Sequence, residues 1–206
     1  MRCKHPLGIL WEMADSPRPY HHGELRAALL VGGKALLEEL GPDGFSLREL
    51  ARRVNVSAMA PYRHFADKEA LLATLAADGF ARLAGDIEAT TGEPAERLRN
   101  AARKYVSFAR TEPTLFRLMF SPLISHPVVE PTSLLAFDRL MVVAQPLHPT
   151  TRLLKDKVRF ATAIWSGLHG IATIGNDGVG GLYDSGVFVE AEEMVDALRA
   201  GWPGLL

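Results

Sequence analysis

Apolar residues recur at three- and four-residue intervals along most of this chain, the period of helices that bury one face. Leu25, Ala28, Leu29, Gly32, Leu36 and Leu40 make the first such row, and Gly41-Pro42-Asp43-Gly44 ends it. Leu47, Leu50, Ala51 and Val54 make a second, shorter row, which leaves Arg48, Arg52 and Arg53 to face water or phosphate. Its start carries two signals: Ser46 and Glu49 have capping-box spacing, and Phe45 and Leu50 occupy the staple positions. Asn55 suits the turn that follows, because it bonds to nearby main chain and tolerates left-handed backbone angles. Ser57 then predicts the cap of another short helix, with Pro61 near enough to its start to cost at most one ladder bond. That helix hides Pro61 and Phe65 and shows Ala58, Met59, Tyr62 and Arg63. Two helices this short bury too little to stand alone, so the pattern predicts a three-helix unit presenting one helix outward. An ordinary helical corner has the same spacing.

Longer rows follow. Asp67 caps a helix over 67–90, lined by Leu71, Leu72, Leu75, Phe80, Leu83 and Ile87, and Thr91-Gly92-Glu93 breaks it. Pro94 opens the next, through Leu98, Ala101, Ala102, Tyr105, Phe108 and Ala109. Beyond Glu112-Pro113 lies a very apolar segment, 115–120, and then Pro122, Pro127 and Pro131 mark 121–131 as loop. Helical spacing resumes over 132–145, 150–174 and 188–200. The stripe Phe160, Ala161, Ile164, Trp165, Leu168, Ile171 and Ala172 makes 150–174 the most sustained of these. The glycine-rich stretch 175–186 lacks a phosphate-loop lysine and does not join strand to helix, which argues against nucleotide binding. Residues 1–19 have no period and read as a flexible N-terminal arm, with an apolar run too short for a signal peptide. Translation from Met13 is the alternative, and intact mass separates the two.

Composition adds limits. The 206 residues suffice for a small domain fused to a larger one, and abundant Ala and Leu with Gly and Pro clustered between periodic stretches give an all-α fold class. With 23 basic and 24 acidic side chains the net charge is -1, so any contact with nucleic acid must be local. The single cysteine, Cys3, excludes an internal disulfide and suits a reducing cytoplasm. No apolar run approaches the roughly 20 residues needed to span a bilayer. His21 and His22 lack convergent partners for a metal, and neither a metal nor a cofactor is expected.

Phe45-Ser46-Leu47-Arg48-Glu49-Leu50-Ala51, Val56-Ser57, Tyr62-Arg63-His64-Phe65 and Asp67-Lys68-Glu69-Ala70-Leu71-Leu72 together resemble the DNA-binding signature of the TetR family of bacterial transcription regulators. The resemblance covers about 20–75 and implies a dimeric one-component regulator. Residues 20–68 are then a helix-turn-helix DNA-binding domain, and 69–206 an effector-binding and dimerisation domain. It further implies that the helix from Ala58 to His64 enters the major groove. Tyr62, His64 and Lys68 match positions that hold phosphate, with Ser46 and Ser57 at helix starts. Reading then falls to Ala58, Met59, Ala60 and Arg63, and at the first three of these the chain departs from the family's commoner Lys, Gly and Thr. Small and apolar groups can touch thymine methyls but make no bidentate bonds to purines, so specificity should lean on apolar contact, Arg63 and DNA shape.

Ile164-Trp165-Ser166-Gly167-Leu168-His169-Gly170 is similar to the signature of the WHG effector domain of some TetR-like regulators. That similarity implies pairing of the last two long helices with their copies in a homodimer, matching a palindromic double-stranded operator. Tyr105, Phe108, Phe116, Met119, Phe120, Phe137, Met141, Phe160, Trp165 and His169 are candidates to line a pocket for an apolar or aromatic small-molecule effector. No enzyme activity is expected, since His169 has no nucleophile or carboxylate in register nearby. Repression is the family default. Two rivals remain: a helical enzyme or ligand-binding bundle with a vestigial head, which predicts no salt-dependent binding to palindromes, and an adaptor using 115–120, which predicts a partner-dependent shift in migration.

Overall fold

The computed structural model describes residues 22–147, 154–176 and 190–201, and the expected arm at 1–19 and most of the glycine-rich stretch lie outside them. Among the described residues there are eight α-helices and no strand, an all-α fold. They are α1 (His22–Gly44), α2 (Leu47–Arg53), α3 (Lys68–Glu88), α4 (Pro94–Thr111), α5 (Pro113–Met119), α6 (Glu130–Ala144), α7 (Leu154–Asn176) and α8 (Ala191–Gly201). The expected breaks fall where the chain chemistry puts them. Gly41 takes φ 68 inside α1 ahead of Pro42, a left-handed angle that ends the regular ladder there. Asp67 caps α3, its carboxylate accepting the Ala70 N–H at 2.8 Å. Leu37 rather than Leu40 takes the inner position of α1, and Leu40 is 42% exposed. The proline-marked loop carries a 3-10 turn at Pro122–Ser125, and α6 begins two residues earlier than its periodicity indicates.

One hydrophobic core runs from Leu29 on α1 to Val195 on α8. α3 is its spine, packing on α1 at one end and most extensively on α6 at the other. Gly79 allows α5 to cross α3 closely: a Cβ there would meet Met119 Sδ at 2.6 Å. α4 packs on α7 and α8, and Arg99–Asp196 and Arg103–Glu192 pairs tie it to α8.

Polar contacts join the N-terminal helices to α5. Glu38 on α1 accepts the Leu115 N–H at 3.0 Å, satisfying a free donor in the first turn of α5. Glu112, at the α4–α5 corner, takes a bidentate pair of 2.7 Å bonds from Arg82 and a 2.9 Å contact from Lys34. The Arg82 bonds, aided by Lys34, hold its carboxyl at about 2 against an ordinary value near 4.5. The unfolded chain therefore binds more protons across that window, so this group adds stability that is complete above pH 4.5 and is lost as the pH falls toward about 2. Denaturant unfolding at a series of pH values should show a shallower acid slope for Glu112→Gln than for the unmodified protein. Equal slopes would remove Glu112 as a cause.

Candidate functional site

Between Ser46 and Lys68 the chain folds around two buried anchors. Ser46, extended at φ -142, accepts the Glu49 N–H on its Oγ at 3.1 Å and starts α2. Glu49 accepts from Arg52 at 2.7 Å and Arg53 at 3.1 Å, and these bonds, Arg52 first, hold its carboxyl at about 2. Arg53 also reaches Glu39 on α1 at 2.8 Å. Arg48, Arg52 and Arg53 are all exposed, as their spacing implies, and Arg53 in addition links α2 to α1 through Glu39. Asn55 makes the turn with φ 55, and the Val56 N–H returns to the Ala51 carbonyl at 2.9 Å.

The expected second α-helix is shorter and tighter than its sequence suggests. Residues 58–59 form one turn, closed by the Ala60 N–H on the Ser57 carbonyl at 2.9 Å, and Pro61–Arg63 a single 3-10 turn. Pro61 supplies no N–H to the ladder, and the Arg63 and His64 N–H groups bond three residues back, to Ala60 and Pro61. Pro61 and Phe65 are buried, with the Arg26 guanidinium 5.3 Å from the Phe65 ring centroid. This tether leaves Met59 66% and Tyr62 44% exposed, beside exposed Ser57, Ala58 and Arg63. Ala60, expected among the reading residues, is only 7% exposed, because the turn rolls its methyl inward. His64 is half-buried. Lys68 is half-buried too, its Nζ 3.4 Å from the Asp43 carbonyl, three residues ahead of the α2 cap. The exposed hydroxyl of Tyr62 and guanidinium of Arg63, and the ammonium of Lys68 at the start of α3, are donors suited to anionic oxygens. An open cleft of about 860 Å³ lies behind Lys68, between the Gly41–Asp43 corner and Thr114, Arg117 and Leu118 of α5.

The second candidate site lies in the body. A small, partly open pocket of about 10 Å³ is lined by Phe80, Leu83, Ile87, Tyr105, Phe120, Ser133, Ala136, Phe137, Leu140 and Trp165. Of the ten expected pocket residues, Tyr105, Phe120, Phe137 and Trp165 line it. Phe116 and His169 stand behind Phe120, with ring centroids 4.9 and 4.4 Å from it. Phe108, Met119, Met141 and Phe160 lie elsewhere: Arg82 covers Phe108, Met119 fills the Gly79 crossing, Phe160 is core, and Met141 is half-buried away from the lining. Phe80, Leu83, Ile87 and Leu140 were legible as helix faces but not as cavity walls, and Ser133 carries no sequence signal. Trp165 Nε1–H donates to the Tyr105 hydroxyl at 3.1 Å, and that hydroxyl lies 3.0 Å from His169 Nδ1. Burial raises the Tyr105 pKa and lowers that of His169, so both are uncharged at neutral pH. Trp165 and His169, one turn apart on α7, therefore meet through a third residue on α4 rather than with each other.

Residues 29–75 match the family described as bacterial regulatory proteins of the tetR family, and 98–202 the tetracyclin repressor-like C-terminal domain. A solved protein of unknown function from Rhodococcus sp. RHA1 is 33% identical, covering 91% of this chain and 98% of its own, with a TM-score of 0.71. The TetR family regulator PfmR from Thermus thermophilus is 21% identical over 84% of this chain and 95% of its own, TM-score 0.56. A possible TetR family regulator from Streptomyces coelicolor is 20% identical over 88% and 100%, TM-score 0.66. No curated protein matches the chain. With a head that exposes Tyr62, and with matches to both halves of one family, the chain belongs to the TetR family of DNA-binding transcriptional regulators.

Proposed function

We propose that this protein is a homodimeric repressor that leaves a palindromic operator when a small apolar or aromatic molecule binds its body. The carrying observation is the 57–68 segment, which buries Pro61 and Phe65 while Met59, Tyr62 and Arg63 stay accessible. On this reading Tyr62, His64 and Lys68 hold phosphate with the α2 start at Ser46 and the turn at Ser57. Ala58, Met59 and Arg63 meet base edges, and buried Ala60 sets their spacing. Residues 20–68 act as the DNA-binding domain and 69–206 as the effector and dimerisation domain.

Pairing through α7 and α8 is supported by an open row on α7. Thr162 and Ser166 are exposed, a Cβ at Gly170 would meet nothing within 4 Å, and Ile174 is 41% exposed. One rigid element connects the two sites: Lys68 and Phe80 lie on α3, ~18 Å apart at 1.5 Å per residue. A ligand that enlarges the cavity pushes on the Phe80 end and tilts the Lys68 end. A ~10-fold loss of operator affinity needs only about 1.4 kcal/mol of such coupling. Among the described residues no helix is long and apolar enough to cross a membrane.

Gel shifts with the gene's upstream duplex, at stepped salt concentrations, test this. The expected result is a salt-sensitive shift with palindromic half-sites and two subunits per half-site pair. Binding that ignores both palindrome and salt would overturn it.

A further inference from the structure

Two side chains of opposite sign, Lys34 and Glu38, stand one turn apart on α1, and both reach the same corner of the body. Lys34 Nζ lies 2.9 Å from Glu112 Oε2, and Glu38 Oε1 accepts the Leu115 N–H at 3.0 Å. The corner itself is anchored in the body. Glu112 takes its two 2.7 Å bonds from Arg82 on α3, which fix the plane of its carboxylate, and Leu115 and Phe116 of α5 are each 1% exposed. α5 is set on α3 a second time where Met119 fills the Gly79 crossing.

The head's other tie to the body is α3, which runs unbroken from Lys68 to Glu88. One helix sets a direction, but rotation about its own axis is left to whatever else touches the head. Packing of α1 on α5 resists separation yet is non-directional, so it fixes such a rotation weakly. A hydrogen bond and an ion pair placed off that axis have required geometry, and they fix it. Their order also fixes register: sliding α1 by one turn would bring the Glu38 carboxylate opposite Glu112 in place of the Lys34 ammonium, like charge on like.

We propose that Lys34 and Glu38 are positioning residues that set the half-site spacing this regulator accepts, by holding each head at one angle to its body. This rests on the dimeric, operator-binding reading above and deepens it. In a two-fold dimer the separation of the two DNA-contacting segments depends on that angle in both subunits. One extra base pair moves a half-site by about 3.4 Å and turns it by roughly 34°. A fixed head cannot follow that displacement, and a released head can. Neither residue needs to touch DNA to exert this effect.

The test compares the full-length protein with Glu38→Ala, Glu38→Gln and the Lys34→Met, Glu38→Ala double variant. Each is titrated with the palindromic duplex from upstream of the gene and with copies whose central spacer is one base pair shorter or longer. The unmodified protein should lose at least ~10-fold in affinity on either altered spacer, since the DNA must then twist to fit it. The double variant should bind the natural spacing more weakly but lose under ~3-fold on the altered ones, because its heads turn instead of the DNA. Glu38→Gln keeps an acceptor oxygen for the Leu115 N–H and should restore the spacing preference. A merely structural role would lower all three affinities by one factor and leave their ratios unmoved. Hydrogen exchange read by mass spectrometry adds a measurement without DNA: in Glu38→Ala the first turn of α5 should exchange faster while α2 and α3 keep their protection. If the Glu38→Ala variants do not fold, Lys34→Met alone, at a side chain 38% exposed, decides by the spacing ratios. Unmoved ratios in the variants, tolerance of both altered spacers by the unmodified protein, or unchanged exchange in α5 overturns the inference alone. Failure of the unmodified protein to bind the palindrome at any spacing sinks the dimeric reading and the inference together.

Discussion

Replacing Tyr62 and Lys68 together by alanine should weaken operator binding by roughly 100-fold, about 2.7 kcal/mol, while leaving the folded protein intact. The double change removes two contacts per subunit and four per proposed dimer, and charge-assisted bonds to phosphate are worth about 1.5–3 kcal/mol each before such losses are shared. The loss should be the same at the operator and at an unrelated duplex, because phosphate contacts carry no sequence information. Lys68 alone carries charge, so the slope of log affinity against log salt should fall by about 2 for the pair of subunits. Lys68 gives up only a long 3.4 Å contact to the Asp43 carbonyl, and Tyr62 is 44% exposed, so neither change opens the core. Unaltered affinity and salt slope in the double variant would move the DNA contact off this face.

Phe65→Ala should cost about 3–5 kcal/mol of stability, the range for emptying an aromatic core site. The ring is 4% exposed within the core cluster that includes Leu29, Leu50 and Leu71, and it loses the Arg26 cation above it as well. Small domains have about 5–15 kcal/mol in total, so the head should open at a denaturant concentration well below that of the body. Operator binding should fall with it, because Phe65 and Pro61 are what hold Tyr62 and Arg63 outward. Phe65→Leu should recover most of the loss. Met59→Ala, at a site 66% exposed, should cost under about 0.5 kcal/mol and serves as the reference. Denaturation followed by far-ultraviolet circular dichroism measures all three, and a Phe65→Ala variant as stable as the Met59→Ala one would contradict the anchoring role.

Helix starts and stops were legible because they depend on neighbours in sequence. Ser46 and Asp67 accept the N–H three residues on, Asn55 adopts its left-handed angle, and Gly41 breaks α1, all as their side chains require. The family resemblance in 45–72 and in 164–170 was equally local, and matches to both halves bear it out. What failed was legibility of surfaces. Arg53 is exposed as its spacing implies, but nothing local announced its pairing with Glu39, fourteen residues earlier on another helix. Ala60 counts as a reading residue by position, yet a 3-10 turn has fewer residues per revolution than an α-helix and carries its methyl under the segment. Three of the pocket candidates, Phe108, Met119 and Phe160, are core away from the cavity, since hydrophobicity reports burial and not which buried face borders a cavity.

The sequence by itself determined an all-α chain, the positions of its caps and breaks, and the family it resembles, because each follows from interactions within about one helical turn. Tertiary structure alone decided which aromatic rings share a wall, that Tyr105 on α4 joins Trp165 to His169 on α7, that Glu38 binds α1 to α5, and that Glu112 binds the α4–α5 corner to Arg82 on α3. Those pairs are 60, 64, 77 and 30 residues apart in the chain. No local propensity encodes such meetings, since they are fixed only when packing density forces one mutual arrangement of the helices.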